Sequence, residues 1–195
     1  EGKTEYFDVP NHPQHPEMGT RKVPFSKHLY IDAEDFAEVP PPKFFRLKPG
    51  GEVRLMGAYI LKCEELVKNE DGSLKEIRCS CDLETGNGMP KDGRKIKGTI
   101  HWLSREYAVD ATVMLYEKLF NLENVADMPE DKTYGDYLNL DSVEKLENAK
   151  LEPCMADVKP GERFQFVRIG YFIKDTKRDN TYNRIVGLKD SYPQK

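Results

Sequence analysis

Alternation of apolar and polar positions dominates the chain. In Ile77-Arg78-Cys79-Ser80-Cys81 apolar side chains fall on every second residue, and Glu76 and Asp82 extend the polar face. Tyr107, Val109, Ala111, Val113 and Leu115 form a second such face, opposed by Asp110 and Thr112. A third consists of Val53, Leu55, Tyr59 and Leu61, with Arg54 and Lys62 on the other side. This period of two predicts half-buried strands. Between them lie turn signals at Lys48-Pro49-Gly50-Gly51, at Asn69-Glu70-Asp71-Gly72-Ser73 and along Gly86–Gly93. Helical periodicity is nearly absent. One short helix is predicted at Ser142–Asn148, with Asp141 as its cap and Glu144 three residues on. Val9–Pro16 holds three prolines, which argues against a ladder strand and for an extended strap.

About ten to twelve short strands joined by Gly/Pro turns read as all-β, and barrel closure is the usual remedy for exposed edges. That count exceeds one small barrel. The expected organisation is an extended strap over 1–21, a first barrel over 22–112 and a second over 113–195, with short helical connections. No internal repeat stands out, and no apolar run is long enough for a spanning helix.

The 195 residues carry 30 Lys+Arg against 34 Asp+Glu, a net charge of −4, which excludes a grossly basic nucleic-acid binder. The charge is uneven. Leu122–Pro153 holds nine acidic residues and three lysines, or −6, so the remainder sums to +2. A polyanionic partner would meet that remainder. Four cysteines at this length are no disulfide scaffold, and a cytoplasmic, thiol-reduced protein is expected.

Enzyme signatures fail in turn. Gly86-x-Gly88-x4-Gly93 lacks the Gly-Lys-Ser/Thr ending of a phosphate loop. Cys79 and Cys81 offer two thiols where a zinc site needs about four ligands, so they read as core thiols. His12 and His15 are separated by Pro13, which forbids a helical ligand pair, and lone His28 and His101 read as structural. No catalytic residue and no metal ligand is assigned. The positive signal is basic residues interleaved with aromatics: Lys43-Phe44-Phe45-Arg46-Leu47-Lys48, then Glu52-Val53-Arg54, then Phe164-Gln165-Phe166-Val167-Arg168, and a basic run at Lys91, Arg94, Lys95 and Lys97. Such residues neutralise phosphates, read base edges and stack unpaired bases. Composition by itself reads them equally as solvated strand faces.

A series of blocks decides between the two. Pro10-Asn11-His12-Pro13 with Pro16-Glu17-Met18-Gly19, Arg21-Lys22-Val23-Pro24-Phe25-Ser26, and Leu29-Tyr30-Ile31-Asp32 come first. Gly51-Glu52-Val53-Arg54-Leu55, Asp92–Gly98 into Ile100-His101-Trp102, and Leu115-Tyr116 to Leu119-Phe120 follow. Phe164-Gln165-Phe166, Gly170-Tyr171-Phe172 and Asn183-Arg184 with Val186-Gly187-Leu188 close the series. In this order the chain resembles the C-terminal anticodon-binding region of the glutaminyl-tRNA synthetases, class I enzymes. Glutamyl enzymes of eukaryotic and archaeal type share the barrels, but the Arg21–Ser26 and Asn183–Leu188 blocks look glutaminyl.

The resemblance implies two antiparallel six-stranded β-barrels, the first similar to a ribosomal 5S-RNA-binding protein. It implies a piece of a longer protein whose upstream catalytic domain, a partner in cis, binds ATP and Mg and ligates glutamine to tRNA. No cofactor is expected in the chain itself. The partner implied is the anticodon loop of glutamine tRNA, with neither membrane nor DNA involved. Arg46 matches the position that reads the third anticodon base, with Lys43 and Phe45 auxiliary. Arg54 matches a contact to the wobble base, Gln165 and Arg168 contacts to the central uracil, and Gln14 and Ser191 secondary anticodon-loop positions. Met56 stands where better-known bacterial members carry a second arginine, and Phe45 where they carry lysine, so a weaker wobble-base grip or one supplied elsewhere is implied. A further arginine for the central base would lie upstream of Glu1. The competing readings are the same domain of a glutamyl-tRNA synthetase, a free-standing RNA-binding barrel, and a β-rich protein-interaction domain. Finally, the apolar phase shifts between Phe164/Phe166 and Val167/Ile169/Tyr171, which predicts a β-bulge that turns Gln165 and Arg168 to one side.

Overall fold

The computed structural model describes residues 2–188. Its regular structure consists of β-strands and short 3₁₀ turns, and among the described residues no helix is long and apolar enough to cross a membrane. The chain forms two compact units, Glu1–Ala108 and Val109–Lys195.

The first unit opens with a hairpin of β1 (Glu5–Pro10) and β2 (Thr20–Phe25). The expected strap is thus partly a ladder strand. Pro10 is tolerated because it is the last residue of β1, opposite Thr20, and the next donor, the Asn11 N–H, bonds to the Gly19 carbonyl at 3.0 Å. A two-stranded sheet pairs β3 (Leu29–Tyr30) with β8 (Leu103–Ser104). The largest sheet contains β4 (Glu52–Leu55), β5 (Ile60–Lys68), β6 (Leu74–Asp82) and β7 (Thr99–Ile100), in the order β6-β5-β4-β7. The strands alternate as the sequence dictates: Val53 and Leu55 are buried while Glu52 and Arg54 are half-exposed. The core gathers Val9, Val23, Leu47, Val53, Leu55, Leu61, Ile100 and Trp102. Against it Phe7, Phe25, Tyr59 and Trp102 pack edge to face, at centroid separations of 5.1–6.4 Å. Of the thiols on this sheet Cys63 is buried, whereas Cys79 is exposed and does not belong to the core as its alternation suggested.

The second unit is one five-stranded sheet, ordered β10-β9-β13-β12-β11. Its strands are β9 (Val109–Tyr116), β10 (Val143–Leu151), β11 (Arg163–Phe166), β12 (Gly170–Lys174) and β13 (Thr181–Gly187). Ala111, Val113, Leu151, Met155, Phe172 and Tyr182 form its core. The Phe166 and Phe172 rings stack at 4.4 Å, and the Tyr182 hydroxyl donates to the Met155 carbonyl at 2.9 Å. Pairing is antiparallel throughout except β4–β7 and β9–β13, which are parallel. Both exceptions join strands far apart in sequence, as a parallel pair requires.

Residues 142–148 are not helical. Val143–Leu151 is β10, paired antiparallel with β9 from Val143↔Tyr116 to Leu151↔Val109. Asn148 has φ +60°, in the left-handed region, which interrupts any helix and places an irregularity between Leu146 and Ala149. A capping pattern is worth about 1 kcal/mol; pairing a full strand along β9 outweighs it.

Candidate nucleic-acid interface

Arg46 sits on the segment between the 3₁₀ turn Ala33–Asp35 and β4. Phe44 and Leu47 on either side are buried, and the Leu47 N–H donates to the Asp35 carbonyl at 2.9 Å. Two anchors thus leave little slack for Phe45 and Arg46. The Arg46 side chain is only 9 % exposed. Its Nε lies 3.3 Å from Oδ1 of Asp35, itself 1 % exposed, and its Nη1 donates to the Glu34 carbonyl at 3.0 Å. This guanidinium is a half-hidden, oriented group rather than a waving cation. Lys43, two residues after buried chain at neither side of it, is exposed and adopts φ +61°. Phe45 is exposed as well.

Arg54 projects from the outer face of β4. Its Nη1 donates to the Gly86 carbonyl at 3.1 Å and its Nη2 to the Gly88 carbonyl at 2.6 Å, so it clamps the tip of the long β6–β7 connection. Arg94 ties down the other limb of that connection through Asp82 and Asp92, both at 2.6 Å, and Glu52 at 3.2 Å. The Thr85 hydroxyl and the Arg94 guanidinium hold Asp82 down to a pKa of about 2. Gly98 connects the two arginine-bearing segments: its carbonyl accepts from the Arg54 N–H at 2.9 Å, and a side chain there would collide with the Phe45 carbonyl. Only glycine fits. Lys43, Phe45, Arg46 and Arg54 are therefore held on neighbouring segments of the first unit.

Gln14 lies on the exposed β1–β2 loop, where its N–H donates to Nδ1 of His12 at 3.1 Å. His12 and His15 have ring centroids 4.5 Å apart, and His15 Nδ1 lies 2.7 Å from Glu17. Gln165 and Arg168 belong to the second unit. Gln165 is exposed on β11, while Phe164 and Phe166 turn inward. The predicted bulge is absent at this point. Phe166 pairs with Gly170 instead, and residues 167–169 form a tight turn with Arg168 at φ +64° and the Ile169 N–H bonded to the Phe166 carbonyl at 2.9 Å. The chain reverses direction, and that changes the apolar phase. A register shift does occur nearby, on the β12–β13 pairing after Tyr171. Ser191 lies outside the described residues.

Catalytic alternatives find no support in the geometry. Ser26, His28 and Glu106 meet, but the carboxylate sits between the other two: Ser26 Oγ donates to Glu106 Oε2, and His28 Nδ1 lies 2.7 Å from Oε1. A nucleophile needs the base on its own hydroxyl. Here the Ser26 hydroxyl, with His28, holds Glu106 at about 2, a structural tie between the β2–β3 and β8 segments. Among the described residues no group of three or more His, Cys, Asp or Glu could hold a metal ion. Lys97 went unsingled in the sequence beyond its basic run. Its Nζ lies 5.2 Å over the Phe45 ring.

Comparison with known proteins places this geometry. Two family models, both described as the anticodon-binding domain of class I (E and Q) tRNA synthetases, match residues 1–82 and 99–175. A glutamine–tRNA ligase of Rhodopirellula baltica is 45% identical over 195 residues, covering 98% of this chain and 32% of that protein. One from Pseudomonas aeruginosa is 43% identical, covering 100% of this chain and 35% of its own length. Another, from Clostridium kluyveri, is 44% identical over 98% of this chain. The chain spans about a third of the length of the curated relatives it matches. With both units matched in order, the chain belongs to the anticodon-binding domain family of class I (E and Q) tRNA synthetases.

Proposed function

We propose that this chain reads the anticodon loop of glutamine tRNA for a glutamine–tRNA ligase. The observation that carries this is the match of nearly the whole chain, at 43–46% identity, to proteins named glutamine–tRNA ligase. In this reading the ligation chemistry, with its ATP and Mg, belongs to a catalytic domain joined in cis and working in the cytoplasm. Arg46 contacts the third anticodon base, assisted by Lys43. Arg54 meets the wobble base, Gln165 and Arg168 share the central uracil, and Gln14 and Ser191 make secondary loop contacts. Several of these residues suit base reading because they are already oriented. Arg46 is fixed by Asp35 and the Glu34 carbonyl, and Arg54 by two loop carbonyls, so little side-chain entropy remains to be lost on binding.

The test is binding of the chain to a glutamine-tRNA anticodon stem-loop, with each anticodon base varied. Arg46→Lys keeps a cation beside Asp35 but loses the planar fork. It should cost about 1–3 kcal/mol of discrimination at the third base and leave the other positions untouched. Equal small losses on every RNA, or no binding at low salt, would reject the proposal.

A further inference from the structure

Phe45 breaks the usual rule for a large aromatic on an anchored segment. Its neighbours Phe44 and Leu47 are buried, its carbonyl abuts Gly98, and yet 45% of Phe45 is open to solvent. The ring is held out by a fixed backbone. It does not dangle from a loose one. Over the ring, at 5.2 Å, lies the ammonium of Lys97.

Lys97 is itself unusual in its charge environment. Residues 95, 97 and 99 are exposed at every second position, alternating with half-buried Ile96 and buried Gly98, which is extended chain leading into β7. Lys95 and Lys97 therefore project on one face. Among the described residues neither is in an ion pair, whereas Arg94 spends its charge on three carboxylates. An isolated surface cation–aromatic pair contributes only about 0.5–1 kcal/mol. That is a small return for leaving a phenylalanine exposed. The combination of an open ring and an unneutralised ammonium matches the two halves of a nucleotide: a base with a π-face and an anionic phosphate.

We propose that Phe45 and Lys97 together form a nucleotide-binding subsite, in which an unpaired anticodon-loop base stacks on the Phe45 ring and the adjoining phosphate is neutralised by Lys97. The subsite rests on the anticodon-reading function proposed above and adjoins Arg46, so it grips a base next to the one that Arg46 reads. It supplies affinity without base choice, since every base has a π-face.

The experiment uses the 195-residue chain and an anticodon stem-loop of glutamine tRNA carrying 2-aminopurine in turn at each unpaired position. Stacking on Phe45 should alter the fluorescence at one position, and Phe45→Ala should abolish that change and weaken binding by about 5- to 100-fold. Phe45→Trp should retain both. Lys97→Ala should lower the slope of log K against log salt by about 0.7, and Lys97→Arg should restore it. Thermal melts of each variant guard against misfolding. If wild-type binding is salt-dependent but Phe45→Ala and Lys97→Ala both bind like wild type, the subsite is wrong and the anticodon-reading function stands. If the wild type itself binds no stem-loop at low salt, both fall.

Discussion

Replacing Arg46 by alanine removes the guanidinium that faces an Asp35 carboxylate only 1 % exposed. At 3.3 Å and an effective dielectric of about 20, the attraction between the two charges is about 5 kcal/mol before desolvation is counted. Breaking a buried pair by deleting one partner typically costs about 3–5 kcal/mol, because the other charge stays behind. Loss of the donor to the Glu34 carbonyl adds to this. For a unit of roughly a hundred residues each kcal/mol moves the midpoint by about 4 °C, so Arg46→Ala should lower the melting of the first unit by about 12–20 °C. The chain has one tryptophan, Trp102, and it is 2 % exposed in that unit's core, so its fluorescence during urea titration follows the relevant transition directly. The double variant Asp35→Leu, Arg46→Met should recover part of the loss, since an apolar pair of similar volume removes the stranded charge. A loss below about 1 kcal/mol for Arg46→Ala, or strict additivity in the cycle, would refute the argument that Arg46 is held by Asp35. Any anticodon assay on Arg46→Ala must accordingly be read against its folded fraction.

Two further outcomes follow from the clamps and carboxylates. Arg54→Ala frees the carbonyls of Gly86 and Gly88, so trypsin should cut at Lys91 and Lys95 markedly faster than in wild type while the Trp102 transition moves little; unchanged cleavage would mean that the loop is held elsewhere. Asp82, Glu106 and Asp175 are all depressed to about 2, from ordinary values of 3.8, 4.5 and 3.8. Groups lowered in the folded state stabilise it fully above their unfolded values, so stability should be level above about pH 4.5 and fall as pH drops toward 2, with Glu106→Gln flattening part of that fall.

The legible parts of this fold were those in which a strand's own residues carry the information. Val53, Leu55, Ala111 and Val113 alternate with polar neighbours and are buried as that alternation requires. β10 was illegible because most of its side chains face solvent, so nothing in Val143–Leu151 marks a buried face; its strand character comes from pairing with β9. The reversal at Arg168 was read as a bulge because a phase change looks the same in sequence whether a strand slips or turns back. The site divides in the same way. Resemblance, not chemistry, singled out Arg46 and Gln165. That Arg46 is sheltered by Asp35, eleven positions away, and that Lys97 lies over Phe45, are long-range facts which no local pattern expresses.

The strand order of the second unit bears on how it is made. β13 is the last of its strands in sequence, yet it lies in the middle of the sheet, between β9 and β12, and contributes the buried Tyr182. Until residues 181–187 are available, β9–β10 and β11–β12 are two hairpins with no strand to join them. Synthesis from the N-terminus therefore leaves the inner faces of both hairpins, with Val113 and Phe172, waiting for the closing strand, a slow non-local step during which they are open to misassociation. A nonsense change before Thr181 would remove the keystone of the unit, and its product should be a target for chaperones and proteases even though every residue before the break is unaltered.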